Sequence, residues 1–359
     1  MSLESDILLG LAVGFYLLMT IILAGNLIYL RRRPVVSSGN EPLVSILIPA
    51  RNEAANLRRL LPAIASQTYG NLEVIVYDDQ SNDRTWEVIQ QHLGGRISGI
   101  RGGELPEGWI GKCHALHVAS GKATGEILMF LDADVLMAHD RVVSDLVTRF
   151  LALPPFSAMT IMPGLQPSGG RLLVSLIPNS ILLTIPWFLT KHVRIPLMAM
   201  LNGQCWMIDS EDYRSLRPHE KRRRSILEDV AIGRDLAREG MKIHLLATRG
   251  EIDVRMYETI EEAWRGFRRN AYLVFGGRPL PFLLLQIPFI SLFLLAPILE
   301  PLFLVWLLLL KYVTDRVAGF NVIFTLLAPA SYVLALILCW DSAVHHWRGK
   351  VEWKGRVVG

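Results

Sequence analysis

Residues 43–49 read LVSILIP, residues 72–77 read LEVIVY and residues 127–131 read ILMFL; the polar stretches that follow them are Ala50-Arg51-Asn52-Glu53, Asp78-Asp79 and Asp132-Ala133-Asp134. Continuous apolar runs of this length, rich in β-branched residues, suit strands buried on both faces, as in a parallel sheet. Asn52 is placed to cap a helix running from about residue 53 to 66, with Leu57, Leu60, Leu61 and Ile64 on its apolar face. Helices near residues 84–92 and 114–120 and a weaker strand near 96–100 complete a βαβαβαβ order. The expected class is therefore α/β with an open, mostly parallel central sheet. Such sheets bind ligands outside the carboxyl ends of their strands, so the three polar ends are the first candidates for chemistry.

Two carboxylates at i and i+2 leaving a buried strand repel each other unless a cation neutralises them. Oxygen ligands of this kind suit Mg2+ or Mn2+, which keep waters and bridge to substrate phosphates. A solvated turn is the alternative for an isolated Asp-x-Asp; the preceding apolar strand and the other two acidic ends favour the metal. Asp78 or Asp79 can accept hydrogen bonds from a base or ribose, or cap the following helix.

Outward from this region the chain turns apolar. Of 359 residues 51% are hydrophobic and 19% charged, against about 25% charged in an average soluble domain. Residues 7–30 and 317–340 hold no charge, and residues 279–310 hold only Glu300. Each run is long enough to cross a bilayer core of about 30 Å. A purely soluble enzyme, a disulfide scaffold and a disordered chain are excluded. Pro288, Pro297 and Pro301 should kink the middle run or split off an interfacial piece. Read as one crossing, it gives three spans and leaves Lys311 on the far side. The expected organisation is an anchor at 1–33, a catalytic domain at 41–259 and an amphipathic helix at 260–278. A transmembrane region at 279–340 and a basic tail at 341–359 follow.

The net charge of +4 does not point to nucleic acid. Arg31–Arg33, then Arg265, Arg268, Arg269 and Arg278, then Arg348, Lys350, Lys354 and Arg356 flank the apolar runs. Basic residues there read as cytoplasmic flanks in contact with anionic lipids. Residues 172–190 are also uncharged but carry Asn179, Pro178 and Pro186. Acidic motifs on either side must share one site, so the insert 172–201 is expected to lie on the membrane or cover the site; a buried helix pair is the alternative. Cys113, Cys205 and Cys339 show no metal-like spacing and read as packed thiols in a reducing compartment.

The three polar ends, in this order and spacing, resemble the nucleotide-sugar half of the inverting family 2 glycosyltransferases, whose fold is called GT-A. The resemblance continues in Asn202-Gly203-Gln204, similar to the acceptor-side motif, and in Glu228-Asp229. It implies nucleotide-sugar binding by Ala50, Arg51 and Glu53, uracil contact by Asp79, ribose or metal contact by Asp132, the metal on Asp134 and the catalytic base in Asp229. Asn202, Gly203, Gln204 and Glu228 fall on the acceptor side. Independently, an anion at a helix start is stabilised by the dipole, and a carboxylate behind the sugar can deprotonate an attacking hydroxyl. Lys221–Arg224 can meet phosphate or form a solvated charge run.

Residues 264–270 lack the Gln-x-x-Arg-Trp motif of processive synthases and instead place Ile260, Ala263, Trp264, Phe267 and Ala271 at the spacing of an interfacial helix. Single sugar transfer is preferred over polymer extrusion. Gly108-Trp109-Ile110-Gly111-Lys112 and the basic tail resemble the carotenoid- and hopanoid-associated glycosyltransferases. There Lys112 can reach a diphosphate and Trp109 can stack on a sugar, or Trp109 packs under a surface turn. His114 and His117 read as helix-surface or core residues. The expected protein moves one hexose from a UDP-sugar to a polyisoprenoid-like lipid, with Mg2+ or Mn2+, from the cytoplasmic face of a bacterial inner membrane. Polyprenyl phosphate or a glycerolipid is the alternative acceptor, and a non-catalytic transport or scaffold protein the alternative of another class.

Overall fold

The computed structural model describes residues 3–31, 39, 41–166, 169–190, 192–193, 195–349, 352–353 and 356–357. Its contacts divide the chain into two units, one of residues 30–164 and 189–255, the other of residues 1–29, 165–188 and 256–359. In the first, β1 (Val44–Ala50), β2 (Leu72–Asp78), β3 (Ile97–Arg101) and β4 (Ile127–Leu131) form where apolar runs were read. They are joined by β5 (Val135–Met137), β6 (Ser157–Met162), β7 (Gly164–Leu165), β8 (Cys205–Asp209), β9 (Lys242–Ala247) and β10 (Ile252–Val254). Seven make one sheet in the order β3-β2-β1-β4-β8-β6-β9, and β5, β10 and β7 make a smaller one. Every pairing in the large sheet is parallel except the two made by β8.

The strand order reverses between β1 and β4. The β1–β4 ladder stops at Leu47 opposite Phe130, whereas β1–β2 continues to Ala50 opposite Asp78. A crevice therefore opens between the ends of β1 and β4, the switch point where open α/β sheets bind ligands. Pro49 lies past the β1–β4 ladder, so its missing N–H removes no bond there. On the other side of β4, antiparallel β8 sets Cys205 opposite Leu131. That register delivers Asn202-Gly203-Gln204 to the Asp132 end, where the Asp132 N–H donates to the Gln204 carbonyl at 3.0 Å. Beneath it Phe130 stacks on Trp206 at 4.1 Å and 11°, worth about 1 kcal/mol beyond burial.

One expected cap is wrong. Asn52 takes a left-handed φ of 55°, which Asn tolerates, and its Oδ1 accepts from the Asn82 N–H at 2.8 Å. The helix Ala54–Ala65 is capped instead by Asp83, whose Oδ2 accepts from the Ala54 N–H at 3.2 Å.

Among the described residues, the second unit holds three helices long and apolar enough to cross a membrane: Leu9–Tyr29, Pro279–Leu299 and Ala328–Trp347. The run at 279–310 is not one kinked span. It breaks at Glu300, whose side chain accepts from the Leu302 N–H, and a new helix Pro301–Ala318 starts on Pro301, a first-turn position where proline costs nothing. Pro288 is followed by a π-helical turn, Ser291–Leu295, a common way for a helix to absorb a disturbed ladder. The last apolar helix begins later than residue 317 because Gly319 ends the preceding one in a left-handed conformation.

Lys311, expected beyond a span, is fully buried and paired with Asp315, which also accepts from Thr325 Oγ1 at 2.8 Å. Residues 172–190 form only short helices, Arg171–Val174, Leu176–Thr184 and Trp187–Thr190. The nine residues of the longest rise about 14 Å, under half a bilayer core. Buried Asn26 donates to the carbonyls of Leu182 and Ile185 at 2.9 and 2.8 Å, answering groups left open at a helix end. The helix Ile260–Val274 is tied to Ala328–Trp347 by Trp264 Nε1 donating to Asp341 at 2.7 Å and the Tyr272 N–H donating to Ser342 at 2.9 Å. Cys113, Cys205 and Cys339 are buried free thiols. Of the basic flanks, Arg32, Arg33, Lys350 and Lys354 lie outside the described residues.

Candidate active site

The ends of β1 and β2 are bonded into one floor. The Asp79 N–H donates to the Ala50 carbonyl at 2.7 Å. Buried Arg51 donates to the carbonyls of Asp79 and Gln80 at 2.6 and 3.1 Å. Arg51 thus shapes the turn that carries Asp79, which is itself buried. The Glu53 N–H donates to Thr85 Oγ1 at 2.8 Å, joining the first polar end to the helix Thr85–His92. Tyr77 and His114 meet beside this floor, with the hydroxyl 3.3 Å from Nδ1. Burial lowers the His114 pKa, against the pull of Asp79, and His117 lowers it further. Trp109 packs on His117 at 4.9 Å and on His114 at 5.4 Å; sequence reasoning had not joined these three.

Asp132 and Asp134 leave β4 beside the crevice, both half-buried. The Asp134 carbonyl accepts from the Arg255 N–H just after β10 at 3.3 Å, so the small sheet braces the second acid. Among the described residues no group of three or more His, Cys, Asp or Glu side chains gathers as a closed metal site. Two carboxylates beside an open crevice still fit Mg2+ or Mn2+, which bind through one or two carboxylates and complete their shell with water and substrate phosphates. Asp132 and Asp134 are the residues that would hold such an ion.

Asn202-Gly203-Gln204 folds on itself: Asn202 Nδ2 donates to Gln204 Oε1 at 3.1 Å and Asn202 Oδ1 accepts from the Gln204 N–H at 3.1 Å. Thr160 Oγ1, not singled out from sequence, accepts from the Asn202 N–H at 2.7 Å; its only signal was a polar residue inside β6. The Gly203 N–H donates to Asp229 Oδ2 at 2.8 Å, and the Val230 N–H to Asp229 Oδ1 at 2.8 Å. Asp229 stands in the first turn of the helix Glu228–Arg238, where dipole and main chain favour the anion.

Lys112, in the first turn of the helix Gly111–Lys122, lies at the centre. Its Nζ is 2.7 and 2.9 Å from the two Asp132 oxygens and 3.2 Å from Glu228 Oε1. Burial alone would lower its pKa, but Asp132, Glu228 and Asp229 together raise it, so it stays charged. Glu228 is 8% exposed, and burial raises its pKa, with Asp229 and Asp132 adding to the shift against Lys112. Asp79, Asp132, Asp134, Asn202, Gly203, Gln204, Glu228 and Asp229 thus all lie within the first unit. In the run Lys221–Arg224, Arg222 pairs with Asp235, the Arg223 carbonyl accepts from the Ile110 N–H at 2.7 Å, and the Arg224 guanidinium lies against Gly108.

Beside this switch-point crevice stand the paired acids Asp132 and Asp134 and, at a helix start, Asp229; residues 45–217 match the model Glycosyl transferase family 2. Residues 45–217 are thus similar to glycosyltransferase family 2 domains, and the fold is GT-A. The 4,4'-diaponeurosporenoate glycosyltransferase of Staphylococcus haemolyticus is 25% identical over 225 residues, 62% of this chain and 60% of that one. The protein of the same name from Staphylococcus aureus (strain USA300) is 23% identical over 270 residues, 67% and 65% of the two chains. The matches span less than two thirds of those relatives. The mannosyltransferase PcManGT from Pyrobaculum calidifontis, solved in complex with GDP-Man and Mn2+, shares the fold at a TM-score of 0.60 and 19% identity, covering 95% of this chain and 98% of that one.

Proposed function

We propose that the chain is an inverting glycosyltransferase that moves a single hexose from a UDP-sugar to a membrane lipid, a carotenoid or other polyisoprenoid. The observation that carries this reading is that Lys112 pairs with Asp132 and Glu228 while the turn bonded to Asp132 through Gln204 holds Asp229 through the Gly203 N–H, gathering a donor-side acid and a base at one crevice. Asp79 would contact the base of the donor and Asp134 hold a divalent cation. That ion would neutralise charge developing on the departing diphosphate. Asp229 takes the proton of the acceptor hydroxyl as that oxygen bonds to the anomeric carbon. The bond from that carbon to the diphosphate breaks on the opposite side, giving inversion. Three apolar helices support an integral membrane protein, with the basic flanks on anionic lipid at the cytoplasmic face of a bacterial inner membrane. The names of the Staphylococcus relatives support a carotenoid-type acceptor.

The test is transfer by the detergent-solubilised full chain from UDP- and GDP-sugars to extracted membrane lipids, read by mass spectrometry of the product. Asp229→Asn should lower kcat by at least about 100-fold while leaving donor binding intact, and Asp134→Asn should abolish metal-dependent donor binding. Full transfer by either variant would overturn the mechanism. A glycosylated polyprenyl phosphate or glycerolipid as sole product would overturn the acceptor class.

A further inference from the structure

Lys112 touches both halves of the crevice. Its ammonium bridges both oxygens of Asp132 at 2.7 and 2.9 Å and reaches Glu228 at 3.2 Å. A Cβ added to Gly203 would lie 2.8 Å from the same nitrogen and 3.2 Å from Asp229 Oδ2. The side chain is 19% exposed, so it is no surface lysine resting on a convenient acid. A single cation spanning both oxygens of the first Asp in Asp132-Ala133-Asp134 sits where a divalent ion would have to approach that carboxylate. Two cations cannot share it without strong repulsion in a half-buried crevice.

We propose that Lys112 is a resident counter-ion that holds Asp132 while the donor is absent and yields it to the divalent cation only when a nucleotide diphosphate arrives with negative charge of its own. Released from Asp132, the ammonium keeps its bond to Glu228, the neighbour of the base, so filling the donor site reorganises the base side. Lys112 is in this role a positioning residue, and it couples metal and nucleotide binding. The inference rests on the donor-site reading above and adds an order: metal and diphosphate bind together, each poorly alone.

The coupling is measured on the full chain in detergent by titrating Mn2+ and following the free-ion electron paramagnetic resonance signal, with and without UDP. The wild-type protein should bind Mn2+ at least about tenfold more tightly with UDP than without it. Lys112→Gln should bind Mn2+ without UDP about tenfold more tightly than wild type, and so lose most of the coupling; Lys112→Arg, which keeps the charge, should retain it. Lys112→Met, with a stem of similar length, replaces the Gln variant if that one does not fold. An unchanged or weaker nucleotide-free affinity in the neutral variant overturns the proposal, because a merely structural lysine would give that result. Wild-type protein that binds no Mn2+ even with UDP overturns the donor-site reading itself, and the proposal with it.

Discussion

Gly203→Ala is the substitution from which the site geometry can be read most directly. The new methyl group would stand 2.8 Å from Lys112 Nζ and 3.2 Å from Asp229 Oδ2. Ordinary contact begins at 3.4 Å, so the ammonium must retreat by about 0.6 Å and the carboxylate by about 0.2 Å. Both atoms end flexible side chains and can yield, and Gly203 has no positive φ that would strain an alanine. Folding should therefore change little, while Lys112 and Asp229, the proposed base, are misplaced. A shift of about 1 Å costs about 100-fold in rate; the smaller one here should cost about tenfold in kcat, or 1.4 kcal/mol of activation free energy. Gly233→Ala is the contrast. There the Cβ would meet main-chain atoms of Leu201 and Met200 at 2.6 to 2.8 Å, and main chain cannot step aside. That variant should lose several degrees of Tm, about 2 kcal/mol or more. Initial transfer rates and thermal unfolding of both variants in one detergent decide the matter. Wild-type kcat in Gly203→Ala at unchanged Tm would refute the claim that Lys112 and Asp229 must hold these positions.

The buried Lys311–Asp315 pair predicts that Lys311→Met destabilises by about 3–5 kcal/mol, whereas Lys311→Met with Asp315→Leu recovers most of it; equal Tm losses in both would disprove the pairing. His219, buried against Trp206 and Phe130 and 2.8 Å from the Tyr213 hydroxyl, has its pKa lowered to about 3 by burial, with Lys112 and His117 adding to the shift. Its unfolded value is near 6.5, so the unfolded chain takes up a proton first as pH falls. Stability is whole above about pH 6.5 and declines below it, by about 3 kcal/mol at pH 4.5. His219→Gln should flatten that acid slope in Tm, and an unchanged slope would count against a neutral buried imidazole.

Much of the sheet was legible because β1, β2 and β4 are apolar runs that end abruptly in charge, a pattern only a doubly covered strand needs. The acids at those ends were legible for the same reason. Their connections were not. Whether Asn52 or Asp83 caps a helix depends on which of two turns approaches, and both carry capping residues. Lys112 was read toward a phosphate because no spacing shows that residues 112, 132 and 228 meet; the antiparallel insertion of β8 and the helix Glu228–Arg238 bring them together. The break at Glu300 rests on one acid before a proline, a signal easily outweighed by the 31 uncharged neighbours in residues 279–310.

The pairing of β4 with β8 has a further consequence. Main-chain bonds, rather than side chains, fix how far Asp132 stands from the turn that holds Asp229. Side chains around the crevice can then be exchanged over generations without moving Asp132 relative to Asp229. A ruler built from backbone keeps the two acids in one register whatever side chains come to line the crevice between them.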